Sequence, residues 1–518
     1  RRAAPPLHSK GRCPAADVVN DPERVPVIVA VGQVNDRPAD PADGLDPLGL
    51  MVAALRAAEV DGGVPLLAHL DSLAVVDQIS FREMNPLCAR LAAAIGATPA
   101  MVEQSDKPHG DTPIRMLNDA ANRIGSGEAK LCAVVGAEAL RTAAQRAARA
   151  TPGADASYAL RRPAKLHREP DFAQAHGLNA PVDIYPLYEN ATRAAWGQSL
   201  SEGQAESGAI WSMMSEVAAS EDGAWIRKPV SAEAILTADA NNRPIAFPYT
   251  KLTVANSSVN QGAGFIVASL AEARRRGIAE DRLIYVGMGA GAREPASILA
   301  RDGFTHSVSM ETAIRRTLEL NAMTGQDFAF VELYSCFPCV PKMARRVLDW
   351  PLDRPATVFG GLTFGGGPIA NYMSHAVAAM TARLRGAGGN GFLFANGGFA
   401  TDNHCIILSS EPVAAANFPQ VYDYQSEADG LRGAVPVLDE GYVGAATVES
   451  YTVFYGRDGQ PKGGVVVAIT PAGGRTLAHV DVGDAAMVAF LTDGANEPVG
   501  TSGRIEPREA GGRFWVRG

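Results

Sequence analysis

An α/β core, interrupted by a helical segment and followed by a small antiparallel β domain, is the fold class this sequence predicts. Three observations predict it. Short apolar runs, many of them β-branched, alternate with amphipathic helical runs over residues 25–135, and such runs return over 251–395. Residues 141–235 break that rhythm with pieces rich in Ala, Arg, Ser, Trp and Tyr, such as the amphipathic stretch 204–219. From about residue 432 the pattern becomes β-rich runs joined by turn signals. At 518 residues the chain has room for about three units.

The elements follow in order. Residues 25–32 form an apolar run ended by Gly32, which reads as a strand buried on both faces. Asp46 suits an N-cap and Pro47 a first helical position ahead of Leu50, Val52, Leu55 and Ala58. Residues 73–76 and 101–104 read as strands, and 86–95 as a small-residue helix closed by Gly96. Thr112 and Pro113 give the cap and first residue of a helix carrying Ile114, Leu117, Ala120, Ala121 and Ile124, stopped at Gly125. Residues 131–135 are a buried strand, and the alternation implies a mostly parallel sheet. Strand runs return at 251–268, 283–288, 328–333 and 391–395. In the last segment, 445–455, 463–470 and 476–482 are strands joined at Asp458-Gly459 and Ala472-Gly473-Gly474, an OB-like pattern.

Composition narrows the function. Hydrophobic residues make up 47% and charged residues 20%, a globular balance. The net charge of −9 lacks the basic footprint of a nucleic-acid binder. Residues 432–518 hold eight Lys/Arg against ten Asp/Glu, so the β domain is expected to dock protein or cover a site. No apolar run is long enough to span a membrane. Six scattered cysteines fit a reducing compartment, and the expected location is cytoplasmic. Cys336 and Cys339 form a C-x-x-C without a second pair, so no metal ligand set is expected. Residues 1–24 lack the apolar core of a secretory signal and read as a disordered arm. The run Gly287-Met288-Gly289-Ala290-Gly291 lacks the third spaced Gly of a dinucleotide fingerprint. His404 and Cys405 are neighbours on a strand and point to opposite faces, so no dyad is expected there.

Four stretches together resemble the thiolase superfamily over about residues 25–410. The helix after His109-Gly110 ends in Ile124-Gly125-Ser126-Gly127 and leads to Ala133-Val134-Val135-Gly136-Ala137-Glu138. Ala255-Asn256-Ser257-Ser258-Val259-Asn260-Gln261-Gly262-Ala263 is similar to the family's Asn-Ser loop. Glu332-Leu333-Tyr334-Ser335-Cys336-Phe337 stands where the family carries Asn-Glu-Ala-Phe or His-Asp-Cys-Phe. The run from Gly360 to Pro368 resembles the Gly-His-Pro turn. The β extension narrows the resemblance to thiolase-like proteins of type 1, often labelled acetyl-CoA acetyltransferases. The resemblance implies a five-layer αβαβα core. Its halves would span 25–275, with the lobe 141–235 inserted, and 276–430, followed by the added domain 431–518. It also implies acyl-CoA as partner and substrate, no bound cofactor, lipid metabolism, and a homo-oligomer or a partner enzyme.

A thiolase needs a nucleophilic Cys at a helix start, a second Cys as base, and His and Asn to hold oxyanions. The resemblance places Gly110, Phe394, Gly367 and Tyr334 at those four positions. Ordinary thiolysis through an acyl-enzyme is therefore not expected. Thiolase-like aldolases acting on β-hydroxyacyl-CoA carry Tyr in this motif, which implies (retro-)aldol chemistry with Tyr334 as acid/base. A phenol needs a hydrogen-bond partner or a nearby positive charge to titrate near neutrality, and Ser335, His375 and His109 are candidates. Tyr334, His109 and Ser335 are thus the expected catalytic residues. Gly110, Ser257, Gly367 and Asn396 are the expected substrate-binding ones. An aldolase needs Tyr334 in an open pocket within hydrogen-bond reach of another polar group, whereas the competing expectation is a protein that binds acyl-CoA or a partner without turnover, with Tyr334 buried and the tunnel filled by Phe364, Phe394 or Phe399. Arg141, Arg146, Arg149, Arg161, Arg162, Lys165 and Arg168 give the lobe a basic stretch suited to CoA or to a solvated face.

Overall fold

The computed structural model describes residues 21–150, 170–509 and 511–518. Most of the arm, Cys13, Arg161, Arg162, Lys165 and Arg168 lie outside the described residues. Residues 21–24 form a turn, and Arg24 donates to Gly125 O at 2.7 Å.

The strands are β1 (Pro26–Asn35), β2 (Ser72–Val75), β3 (Met101–Gln104), β4 (Leu131–Ala139), β5 (Pro244–Ala246), β6 (Tyr249–Thr250), β7 (Asn260–Ser269) and β8 (Ile284–Arg293). They continue with β9 (Phe328–Leu333), β10 (Asn390–Gly397), β11 (Asp402–Ser409), β12 (Gly444–Tyr455), β13 (Pro461–Ile469), β14 (Arg475–His479), β15 (Ser502–Pro507) and β16 (Arg513–Arg517). The helices are α1 (Pro47–Gly62), α2 (Cys88–Ile95), α3 (Thr112–Ser126), α4 (Leu140–Ala150), α5 (Phe172–Ala175), α6 (Pro181–Ala195) and α7 (Leu200–Ser220). They continue with α8 (Ala232–Leu236), α9 (Leu270–Arg275), α10 (Val308–Asn321), α11 (Cys339–Leu348), α12 (Tyr372–Ala387), α13 (Gln425–Leu431) and α14 (Ala485–Thr492).

Nine strands make one sheet in the order β3-β2-β4-β7-β1-β8-β11-β10-β9. Only β2–β3, β2–β4 and β9–β10 pair in parallel, so the expectation of a mostly parallel sheet is corrected. The reason is topological. The long insertion brings the chain back as β7 antiparallel to both β4 and β1, and β8 and β11 then pair antiparallel. Period-2 alternation sends side chains to two cores. Val27, Val29, Leu131 and Val135 pack with α1 and α2, whereas Ile28, Cys132 and Val134 face the opposite core. Helices α3 and α12 touch strands of both halves and form the middle layer, with α1 and α2 outside one half and α10 outside the other. This is the five-layer thiolase-like arrangement.

The α3 start shows one local difference from the sequence reading. The N-cap is Asp111, not Thr112, and it makes no side-chain capping bond. Helix α12 buries His375 completely, with Nδ1 2.7 Å from Gln33 Oε1, and burial pulls its pKa from 6.5 down to about 3. Between those values the unfolded chain binds a proton that the folded chain does not. The stability contributed is therefore full above 6.5 and is lost as pH falls toward 3. We expect the unfolding midpoint of His375→Gln to drop less than that of the parent between about pH 7.5 and about pH 4.5. An equal drop in calorimetric scans would contradict this.

The last domain closes a five-stranded barrel in the order β12-β13-β14-β16-β15, returning to β12, with β14 parallel to β16 and α14 before β15. That is an OB-like connectivity. The hairpin β5–β6 of the insertion extends this sheet through the pairing of Ala246 with Phe454. Fully buried Arg475 ties the barrel to the core. It holds Glu449 at 2.6 Å and donates to the carbonyls of Leu299 and Arg301 at 3.0 and 2.5 Å. Asn190 of α6 donates to Tyr451 O at 2.9 Å on the same face. Among the described residues no helix is long and apolar enough to cross a membrane.

Candidate active site

The sequence stretches read as motifs meet in one place through their backbones. Ala255 N donates to Cys336 O at 3.1 Å, Asn256 N to Leu362 O at 3.0 Å, and Gly367 N to Asn256 O at 2.8 Å. Tyr334 N donates to Phe394 O at 3.1 Å. The start of α3 completes the group. A Cβ built on Gly110 would lie 2.3 Å from Asn396 O and 2.3 Å from the Tyr334 hydroxyl. No side chain fits at 110 while this phenol is in place. The loss of a side chain at 110 and the presence of Tyr334 form one steric unit.

Tyr334 is 5% exposed. Its ring meets Tyr372 edge-on at 5.8 Å, and Tyr372 donates to Glu332 Oε1 at 2.7 Å. Glu332 also accepts from Thr357 at 2.8 Å and Val358 N at 2.9 Å, while burial pushes its carboxyl up to about 7. The Tyr334 hydroxyl has no hydrogen-bond partner among the described residues. Burial, with Cys336 and Asp111 close by, raises its pKa well above the usual value, so the phenol rests protonated.

The other expected residues fare differently. Ser335 is fully buried and accepts from Leu362 N at 3.2 Å, so it serves the Gly-rich turn. His375 is engaged by Gln33. Asn396 is held on both sides: Tyr185 donates to its Oδ1 at 2.7 Å, and its Nδ2 donates to Asn403 Oδ1 at 2.9 Å. Its backbone oxygen, rather than its side chain, faces Gly110. Ser257 is half-buried and Gly367 buried, linked through Asn256. Phe364 and Phe394 are fully buried, and Phe399 is half-buried. Burial pushes Cys88 up to about 11 and Cys132 and Cys336 up to about 12, and it also raises Cys339 and Cys405. None of these described thiols has the lowered pKa of a nucleophile. In the lobe, Arg146 is pinned to the carbonyls of Ala42 and Gly44 at 2.9 Å each, and Arg149 pairs with Asp40.

His109 lies in a polar cavity of about 370 Å³ at the α3 start, which Asp111, Asp402, Asn403 and His404 also line. Its Nδ1 is 2.9 Å from Asp402 Oδ2, and that carboxylate raises its pKa. Burial raises Asp111 to about 6. Sequence reasoning passed over Asp111, Asp402 and His404 as functional residues. Asp111 was visible beside Gly110, whereas Asp402 arrives from 291 positions further along, and no local pattern announces it.

Comparisons with known proteins agree with this architecture. A family described as the thiolase-like protein type 1 additional C-terminal domain matches residues 425–510. A search of curated protein sequences returns no match. Among solved structures, a monomeric SCP2-thiolase like protein type 1 from Mycobacterium smegmatis superposes with a TM-score of 0.78 at 28% identity, over 96% of this chain and 99% of that one. The Ltp2-ChsH2(DUF35) aldolase superposes with a TM-score of 0.55 at 18% identity, over 74% of this chain and 97% of that one. Human mitochondrial 3-ketoacyl-CoA thiolase gives a TM-score of 0.56 at 16% identity, over 75% and 99%. The last two share the fold. The chain thus has a thiolase-like fold, and its residues 425–510 match the additional C-terminal domain described for thiolase-like proteins of type 1.

Proposed function

We propose that this protein makes or breaks a carbon–carbon bond of an acyl-CoA thioester by (retro-)aldol chemistry, without an acyl-enzyme. One observation carries the reading. The Tyr334 hydroxyl stands where a side chain at 110 would begin and has no hydrogen-bond partner among the described residues. A substrate oxygen at the β-carbon would supply the missing partner.

In the condensing direction, an enolate of the thioester forms the Cα–Cβ bond to a carbonyl. The electron pair moves onto the carbonyl oxygen, and Tyr334 gives that oxygen its proton. Its protonated resting state suits this direction. Cleavage runs the same steps backwards: Tyr334 must first have lost its proton, then takes the β-hydroxyl proton as the bond breaks. His109 is the second group able to move a proton at the α3 start. Gly110, Ser257, Gly367 and Asn396 would shape the thioester site through their backbones. The reading is supported by one protein of this fold that is described as an aldolase.

A second reading rests on the burial of Tyr334 and of Phe364 and Phe394, which favours a binder of acyl-CoA or of a partner protein, without turnover. Calorimetry with CoA and a β-hydroxyacyl-CoA, followed by assay of carbonyl release, separates the two. We expect binding, with release that falls at least about 100-fold in Tyr334→Phe, in the range of acid–base catalysis. Binding without release supports the second reading. Unchanged release in Tyr334→Phe removes Tyr334 from the chemistry.

A further inference from the structure

We propose that the cavity at the start of α3 binds a first-row divalent cation through His109, Asp111 and Asp402. One ligand atom from each lies within 4.8 Å of the others. One imidazole nitrogen with two carboxylate oxygens suits zinc or manganese better than calcium or magnesium, which prefer all-oxygen shells. Three protein ligands facing a cavity of about 370 Å³ leave room for further ligands on the ion.

Two observations beyond the cluster point to a ligand here. The first is Asp111, which is 9% exposed and lines the cavity, and whose carboxylate accepts no hydrogen bond from another described residue. A carboxylate so buried normally has a partner. His109 stands against the second carboxylate. Its Nδ1 is 2.9 Å from Asp402 Oδ2, yet that buried oxygen receives no well-aligned N–H.

The second observation is His404, which is 3% exposed on the same wall. Its tautomer follows from a chain of bonds anchored on the backbone. Gly289 N donates to Gln420 Oε1 at 3.2 Å, so the Gln420 amide nitrogen faces and donates to Asn118 Oδ1. Asn118 Nδ2 therefore donates to His404 Nε2 at 2.6 Å, which leaves the proton on Nδ1. Nδ1 has no partner and lies over cavity-lining Gly291, where a Cβ would come within 2.8 Å of it. A fixed donor on the wall that Asp111 and Asp402 also line fits an ion whose bound oxygen ligand accepts from His404. Lys107, Arg115 and Arg293 also line the cavity, and the two arginines are paired with Asp119 and Asp423 at 3.7 and 3.9 Å.

The inference is independent of the aldol reading, because ion uptake is read without substrate. The full chain, stripped with chelator, is titrated with manganese chloride while the free-ion paramagnetic resonance signal is followed. Zinc chloride is titrated in parallel by calorimetry. The expected result is one ion per chain, with affinity reduced at least about tenfold in Asp111→Asn and in Asp402→Asn. Asp423→Asn, at the exposed rim, should bind as the parent does. Circular dichroism checks that each variant is folded. Uptake equal in the parent, Asp111→Asn and Asp402→Asn would overturn the site, as would no uptake at millimolar ion.

Discussion

Replacing Glu189 with glutamine is expected to lower the free energy of unfolding by about 3–5 kcal/mol, the usual cost of breaking a buried ion pair from one side. Glu189 of α6 is 3% exposed and Lys342 of α11 is 1% exposed, with Nζ 2.5 Å from Oε1. Tyr249 donates to the other carboxylate oxygen at 3.0 Å, and Lys342 also donates to Gly203 O at 2.7 Å. The cluster joins α6, α7, α11 and β6. With glutamine at 189 the ammonium keeps its burial and loses its counter-charge. Glu189→Gln combined with Lys342→Met should recover most of the loss, because the cost lies in the unpaired charge. Urea unfolding of both variants checks this, and a single-variant loss under about 1 kcal/mol would refute it. Helix α6 also carries Tyr185, whose hydroxyl donates to Asn396 Oδ1 and accepts from Ala400 N.

Gly110→Cys should restore the residue type expected at the nucleophile position without restoring a thiolase. The new Cβ would meet Asn396 O and the Tyr334 hydroxyl at 2.3 Å each, and the Tyr334 ring carbon Cζ at 2.7 Å. Overpacking of this kind costs about 1–3 kcal/mol. Adding Tyr334→Ala removes the phenol contacts but leaves the backbone oxygen of Asn396, so recovery should be partial. Denaturant unfolding gives the stability. Intact mass after exposure to an acyl-CoA shows whether the new thiol is acylated. A Gly110→Cys protein as stable as the parent, and acylated, would show that position 110 has room and that the steric unit does not exist.

The legible parts of the fold were those written in local chemistry. Continuous apolar runs marked β1 and β4, and Asp46-Pro47 marked the start of α1, where Asp46 indeed caps Gly49 N at 2.8 Å. The hairpin signals located β12, β13 and β14, whereas β15 and β16 went unread. Strand direction was less legible, because it depends on where the chain re-enters after the insertion. The pairing of β5 with β12 joins residues about 200 positions apart and has no local signature. The site divides in the same way. Tyr334 and Gly110 stood out because the resemblance puts each where a thiolase would need a different residue. His109 and Asp402 are neighbours only because β11 begins beside the start of α3, and His404 was set aside for lacking a dyad with Cys405. Its significance comes instead from Asn118 and Gln420, which fix its tautomer from two other parts of the chain.

The central claim is carbon–carbon bond chemistry on a thioester without a covalent intermediate. The most direct measurement mixes the full chain with a β-hydroxyacyl-CoA and reads carbonyl release and intact protein mass in the same sample. The account predicts release of a free aldehyde or ketone and a shortened acyl-CoA, with the protein mass unchanged. An acyl adduct on the protein would contradict it, and so would bound thioester that releases no carbonyl.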